Sequence, residues 1–228
     1  MEVFDALNAS RDVKLLIFDF DGTVADTMGT IQDAVNLTMD AYGYPRKSYE
    51  EVRRAVGHGS VHLIRNVIPT ELSDDDALVL KIHDDYKSFY AQTYNTCKEC
   101  YDGFLESVCT LKENGYTIAV FSNKLDVFVK EMVSALLPEG LVSFAMGQTD
   151  LPTKPDPTVP LMIASQLGFC PECSAFIGDS EVDVQTGLNS GMLAVGCSWG
   201  YRPRYLLIST GAHVILDKPC ELKELFLK

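Results

Sequence analysis

The sequence predicts an α/β protein built on a doubly wound, parallel sheet. Three observations carry that expectation: apolar runs short enough for buried strands, helix-length stretches between them, and glycines where those helices should end. The run Leu15–Phe18 comes first and is apolar throughout, as a strand buried on both faces requires. Residues 27–94 then break the alternation. Residues 30–42, 49–56, 61–67 and 74–94 all read as helices, with no convincing strand between them. Ser48 followed by Glu51, and Ser73 followed by Asp76, fit the Ser-x-x-acid pattern that caps a helix N-terminus. Regular alternation begins after residue 100. Residues 116–122 form a strand, preceded by a helix that Gly115 closes, and 143–147 form a weaker strand. Then come 175–177, Leu193–Cys197 and Val214–Leu216, with helices over 125–137, Thr158–Leu167 and 182–190. Gly168 and Gly191 stand where C-terminal caps belong. The expected division is a core of residues 1–26 and 95–228, with residues 27–94 as a helical insert overhanging the strands' carboxyl ends like a lid.

Composition narrows the function. At 228 residues the chain suits one large domain or a core with a smaller insert, and its 46% apolar content supports a real core. A formal charge of −13 argues against a general nucleic-acid binder and against an anionic membrane surface. An acidic enzyme can still take a phosphorylated substrate where a metal and a lysine reverse the field locally. No apolar run is long enough to span a bilayer, and Met1-Glu2-Val3-Phe4-Asp5 lacks the basic start and apolar core of a signal peptide. The expected compartment is the cytosol. The seven cysteines are odd in number and argue against a disulfide framework. Cys97/Cys100 and Cys170/Cys173 are Cys-x-x-Cys pairs, but they lie far apart and at opposite edges of the expected sheet. Reduced, partly buried thiols are the expectation, rather than a zinc site.

Four segments at strand ends carry the chemistry. Asp19 and Asp21 follow the first strand directly, within Phe18-Asp19-Phe20-Asp21-Gly22-Thr23-Val24. Ligands in such sheets bind outside the strands' carboxyl ends, so paired carboxylates there suit Mg²⁺-assisted phosphoryl transfer. Ser122-Asn123-Lys124 follows the strand ending at Phe121 and offers a hydroxyl, an amide and backbone N–H groups for phosphate oxygens. Lys154 sits in Pro152-Thr153-Lys154-Pro155, whose prolines stiffen the loop and aim the ammonium. Gly178-Asp179-Ser180-Glu181-Val182-Asp183 places two carboxylates four residues apart at a strand-to-helix turn, able to join Asp19 on one hard cation. Each segment also has an ordinary reading: an acidic turn, a helix N-cap, a solvated lysine, or acids favoured by a helix dipole.

As a set, in this order and spacing, the four segments resemble the haloacid dehalogenase superfamily of phosphohydrolases. Asp19-Phe20-Asp21-Gly22-Thr23-Val24-Ala25-Asp26-Thr27, Ile31-Gln32-Asp33-Ala34-Val35-Asn36, Gly57-His58-Gly59 and Trp199-Gly200-Tyr201 resemble its phosphoglycolate phosphatase branch. The resemblance implies a Rossmann-like core with a small helical, C1-type cap inserted after the first strand. It implies Asp19 as nucleophile, forming an aspartyl-phosphate, and Asp21 as general acid and then base. It implies Mg²⁺ held by Asp19, the backbone carbonyl of Asp21 and Asp179, with Asp183 in or next to the coordination sphere. Ser122, Asn123 and Lys154 would bind the phosphoryl oxygens, Lys154 also restraining Asp19, and Thr23 would help fix the turn near the substrate. Arg54, His58 and His62 of the cap are candidates for the substrate's distal end, or else surface or packing residues.

The expected substrate is a small phosphorylated metabolite, 2-phosphoglycolate first among candidates, handled by a monomer or homodimer. Rivals remain open: a sugar-phosphate mutase sharing the same machinery, a metal-free haloacid dehalogenase, or a non-catalytic binding protein. The second acid Asp21 and the Asp179/Asp183 pair speak against the last two.

Overall fold

The structure, a computed structural model, describes residues 12–97 and 99–227. Strands β1 (Leu15–Phe18), β2 (Thr117–Leu125), β3 (Phe144–Gln148), β4 (Ser174–Gly178), β5 (Leu193–Cys197) and β6 (Val214–Leu216) form one six-stranded sheet in the order β3-β2-β1-β4-β5-β6. Every pairing is parallel. This order reverses direction beside β1, so the crevice for a ligand opens at the carboxyl ends of β1 and β4. In register, Phe18 lies beside Ile177, which brings Asp19 and Asp179 to that crevice together.

The all-apolar β1 is explained by helices on both faces. Leu16 and Phe18 point into a cluster with Val120, Ile177 and Val195, covered by α5 (Phe104–Glu113) and α10 (Glu221–Phe226). Leu15 and Ile17 point the other way, toward Phe121, Phe176 and the Val159 and Ile163 side chains of α7 (Thr158–Leu167). Phe18 meets Phe104 edge-on at 5.3 Å between ring centres. Truncating so buried a ring costs about 3–5 kcal/mol.

Helices α1 (Met28–Ala41), α2 (Tyr49–Ala55), α3 (Ser60–Val67) and α4 (Asp76–Thr93) occupy the chain between β1 and β2. They bury a second core of their own, with Ile31, Val35, Ile64, Ile82 and Tyr86 at its centre. Phe128 and Tyr201 from outside the insert complete it. Phe128 belongs to α6 (Asp126–Leu136), and α8 (Glu181–Asn189) and α9 (Arg204–Thr210) pack beside the β4–β6 half.

Several local expectations change. The Ser48–Glu51 capping box is present in both directions. The one expected at Ser73 is not: Asp75 caps α4 by accepting the Leu78 N–H at 3.0 Å. A single turn at Thr70–Leu72 ends on Ser73, whose hydroxyl donates back to the Thr70 carbonyl. β2 runs on past Ser122 through Asn123 and Lys124 to Leu125, and α9 and α10 appear where no helix was expected. Cys170 and Cys173 are joined in a disulfide, contrary to the expectation of free thiols. The tight turn at Pro171–Cys173 holds their Cα atoms 5.2 Å apart, within bridging range, whereas Cys97 and Cys100 are free. Among the described residues no helix is long and apolar enough to cross a membrane. Met1 to Asp5, read for a leader sequence, lie outside the described residues.

Candidate active site

The turn after β1 fixes the first carboxylates. The Asp19 N–H donates to the Ile177 carbonyl at 2.9 Å, extending the sheet by one residue. The chain then folds back, with Val24 N–H donating to the Phe20 carbonyl at 2.9 Å and Gly22 N–H to that of Ala25 at 3.0 Å. Gly22 has φ of +80°, and a Cβ there would come 2.4 Å from Asp179 Oδ2. Glycine is therefore required twice, by conformation and by the approach of the second carboxylate.

Asp19, Asp179 and Asp183 converge, with one carboxylate oxygen of each within 4.8 Å of the others. All are buried. Asp179 Oδ2 accepts the Tyr201 N–H at 2.6 Å, and its Oδ1 accepts the Thr23 hydroxyl at 3.4 Å. Asp183 caps α8 by accepting the Ser180 N–H and hydroxyl on Oδ2, and its Oδ1 accepts from Lys154 Nζ at 2.7 Å. The same ammonium lies 2.7 Å from Asp19 Oδ1. That contact is an ion pair without hydrogen-bond alignment, and Asp19 Oδ1 is left buried with no aligned donor.

One ammonium thus faces a cluster of buried carboxylates. Burial, together with Asp183 and Asp21, pushes Asp19 up to about 6 against the pull of Lys154. Burial, then Asp183 and Asp19, raises Asp179 well above the usual carboxylate range. Burial alone would depress Lys154, but Asp183 and Asp19 overcome it and hold the ammonium protonated. Such an excess of buried negative charge calls for a cation. Hard oxygen ligands, close spacing and more buried carboxylates than the one ammonium can pair fit a divalent ion of the Mg²⁺ type.

Asp21 stands apart from this cluster. Its carboxylate receives the Thr27 hydroxyl at 2.5 Å and the Lys124 ammonium at 2.8 and 2.9 Å. Asp19, Asp21, Ser122, Lys124, Lys154 and Asp179 share the floor of a cavity of about 70 Å³ between the sheet and the insert. Its roof is mostly apolar: Ile31, Leu63, Tyr86 and Tyr90 come from the insert, with Phe128 from α6. The Gly57–Gly59 loop closes one side, tied to the floor by Asn123 Nδ2 donating to the Gly57 carbonyl at 3.0 Å. Arg202 grips the end of α2 just before that loop, donating to the Arg53 carbonyl at 2.6 Å and the Val56 carbonyl at 2.7 Å, while Arg53 donates to the Tyr201 carbonyl in return.

The family model for haloacid dehalogenase-like hydrolases matches residues 16–197, which include every one of these strand-end carboxylates. The chain belongs to the haloacid dehalogenase-like hydrolase family. It is 30% identical over 221 residues to a phosphoglycolate phosphatase from Pseudomonas syringae pv. tomato, covering 95% of this chain and 81% of that protein. A provisionally named phosphoglycolate phosphatase from Lactobacillus delbrueckii subsp. bulgaricus superposes with a TM-score of 0.83 at 29% identity, over 93% of this chain and 98% of that one. The β-phosphoglucomutase of Clostridium difficile shares the fold alone, with a TM-score of 0.78 at 15% identity over 94% and 97% of the two chains. By family and by these relatives the protein is an enzyme of the phosphoric monoester hydrolase class.

Within this hydrolase the structure brings together most residues singled out from sequence and separates a few. Asp19, Asp21, Ser122, Asn123, Lys154 and Asp179 line the cavity, and Asp183 adjoins it. Thr23 is fully buried and bonds Asp179 rather than facing the cavity, so its place is to orient a carboxylate, not to meet substrate. Both ends of the Asn123 amide are engaged, Oδ1 with the Lys154 N–H and Nδ2 with the Lys154 and Gly57 carbonyls. Arg54, His58 and His62 are exposed and lie outside the cavity wall, which fits the surface or packing alternative given for them. Around them Val56, Gly57, Gly59 and Ser60 reach the cavity, while the two histidine rings pack on each other at 4.9 Å. Sequence reasoning gave no role to Lys124, Arg202 or Tyr201. Tyr201 accepts the Thr27 N–H at 2.9 Å, and Trp199 Nε1 donates to the Thr23 carbonyl at 3.1 Å. The Trp199-Gly200-Tyr201 run was a usable signal, since it is the segment that clamps the acidic turn.

Proposed function

We propose that this hydrolase is a Mg²⁺-dependent phosphatase of small phosphorylated metabolites, working through an aspartyl-phosphate on Asp19, with 2-phosphoglycolate the leading substrate. The supporting observation is the separation of the carboxylates into two environments. Asp19 sits in the buried cluster against Lys154, while Asp21 stands beside it with its own hydroxyl and ammonium partners. Two acids held apart in this way suit two roles.

Asp19, Asp179 and the backbone carbonyl of Asp21 would hold Mg²⁺, with Asp183 beside them. Bound there, the ion supplies neutralisation of the phosphoryl charge and alignment of phosphorus with the Asp19 carboxylate. In the first half-reaction an Asp19 oxygen attacks phosphorus, the ester P–O bond breaks, and Asp21 protonates the leaving oxygen. In the second, Asp21 takes a proton from water as that water attacks the phosphorus, releasing phosphate and restoring Asp19. Lys154 holds the Asp19 carboxylate in place, and the Ser122 hydroxyl, with backbone N–H groups at Asn123, binds phosphoryl oxygens.

Residues 27–94 act in this reading as the cap. A roof of Ile31, Leu63, Tyr86 and Tyr90 excludes water and leaves room for a compact ester only. The names of the relatives favour 2-phosphoglycolate. A cytosolic monomer or homodimer completes the proposal. The test is phosphate release from a panel of phosphorylated metabolites, with Mg²⁺ and with chelator. Turnover of 2-phosphoglycolate above the sugar phosphates, lost in chelator, supports the reading. Sugar phosphates turned over equally well sink the substrate, and full activity in chelator sinks the metal.

A further inference from the structure

Beyond the residues given roles above, one cation in the cavity is unassigned. We propose that Lys124 is the contact for a second anionic group on the substrate, and that the site thereby selects esters carrying a carboxylate on the same carbon as the phosphoryloxy group. This rests on the phosphatase reading and specifies the residue and chemical class on which its selectivity depends.

A phosphate ester with a second negative group must place that group against a positive charge once water is excluded. The cap offers none: its contribution to the cavity is Ile31, Val56, Gly57, Gly59, Ser60, Leu63, Tyr86 and Tyr90. Ser60 is uncharged and already pairs with His83 Nε2 at 2.8 Å. Among the described residues, three cations line the cavity, and all come from the core: Lys124, Lys154 and Arg202. Lys154 already spans two carboxylates, Asp19 and Asp183. Arg202 directs Nη1 and Nη2 to cap carbonyls and Nε to Glu181 at 3.2 Å. Lys124 has one carboxylate partner, Asp21, and stands 4.6 Å over the face of Tyr90 at the seam between floor and roof.

The fold aims this ammonium deliberately. The pairing of β2 with β3 loses register between Phe121 and Leu125, and such irregularities re-aim side chains at sheet ends. Asp126 pins the irregularity by accepting the Gly147 N–H at 3.0 Å. A Cβ at Gly147 would fall 2.4 Å from the Lys124 carbonyl, so only glycine lets β3 come close enough there.

Spacing then restricts the ligand. Asp21, which serves the ester oxygen in the proposed mechanism, is 2.8 Å from Lys124 Nζ. A substrate that touches both must carry its carboxylate close to the ester oxygen. A single carbon between them meets that demand without slack, and each added methylene must fold back and lose rotamer freedom to keep both contacts. The class is therefore the 2-phosphoryloxy carboxylates, of which 2-phosphoglycolate is the smallest.

The experiment compares kcat/KM on 2-phosphoglycolate, on the phosphate ester of 3-hydroxypropionate (one methylene longer) and on ethyl phosphate, which has no carboxylate. Wild type should rank them in that order. In Lys124→Met the preference for 2-phosphoglycolate over ethyl phosphate should fall about 10- to 100-fold, the worth of one charge-assisted hydrogen bond. Calorimetric binding of 3-phosphonopropionate against propylphosphonate, both inert, should lose the same preference. An unchanged ratio with equal losses on both esters would overturn the proposal and leave Lys124 as a positioning residue for Asp21. Should Lys124→Met not fold, the wild-type series decides: equal rates on the two carboxylate esters overturn the proposal. Failure of the underlying phosphatase reading looks different, because wild type would then release phosphate from none of the esters.

Discussion

The floor and the roof of the cavity are built on opposite principles. The floor is charged and buried: Asp19 and Asp183 share one ammonium, and Asp179 beside them is held by the Tyr201 N–H and the Thr23 hydroxyl. The roof is apolar and aromatic, with Tyr86 and Tyr90 part of the insert's own core. The carboxylates are fixed by the sheet, which cannot shift without breaking its ladder, whereas the helical insert supplies the apolar wall above them. Even the grip between the two halves comes from the floor side, through Arg202 and Asn123 reaching carbonyls of the insert.

The comparison breaks most visibly at Asp19. Asp19→Asn should lower turnover roughly 10⁴-fold or more, because an amide cannot serve as the nucleophile. The same change should raise the stability of the metal-free protein, read as a higher midpoint in urea, since it removes a buried charge from a crowded site. Loss of both activity and stability would refute this account of the floor. A related sign follows for pH. Burial lifts Asp19 from its ordinary value to about 6, so the unfolded chain releases its proton first. Asp19 therefore makes metal-free stability fall as pH rises from about 4 to 6, by a few kcal/mol at most. Thermal melts across that range should show the fall, and added Mg²⁺ should counter it.

Next in size is Lys154→Met. With its ammonium gone, Asp19 and Asp183 lose their shared partner in a buried setting, a destabilisation of about 3–5 kcal/mol. Chemical denaturation measures it, and a loss under 1 kcal/mol would mean the pair is far better solvated than the structure shows. Arg202→Ala probes the grip instead. It removes charge-assisted hydrogen bonds to the Arg53 and Val56 carbonyls, so KM should rise several-fold while kcat changes less. An equal fall in kcat at constant KM would place Arg202 in the chemistry. Smallest of all, Arg54→Ala and His58→Ala should each leave kcat/KM within about twofold, as both are exposed and neither lines the cavity.

What could be read from the sequence follows the same divide. β1 was legible because a strand buried on both faces must be apolar throughout, and Asp19 and Asp21 then fall at its carboxyl end. Lys154, Asp179 and Asp183 were legible because loops after such strands converge on one crevice. The roof was not, since Tyr86 and Tyr90 look like any helical core residues until the helix is placed over the sheet. Arg54 and His58 drew notice as polar residues at a glycine loop, but nothing in the sequence says that the loop presents its backbone inward. Lys124 was passed over because a lysine after Ser-Asn reads as a solvated helix start; its burial depends on β2 running on to Leu125. At Ser73, three successive aspartates competed for one cap, and the turn before them decided the outcome.

The claim that joins these regions is covalent catalysis at Asp19, and it has a direct test. Asp21→Asn should slow release of phosphate by removing the general base while leaving the nucleophile in place. Incubated with Mg²⁺ and an ester bearing a good leaving group, then quenched in acid, this variant should carry one phosphate on the peptide containing Asp19, removable by hydroxylamine. The Asp19→Asn/Asp21→Asn double variant should carry none. Phosphate found on another residue, or equal labelling of the double variant, would contradict the account.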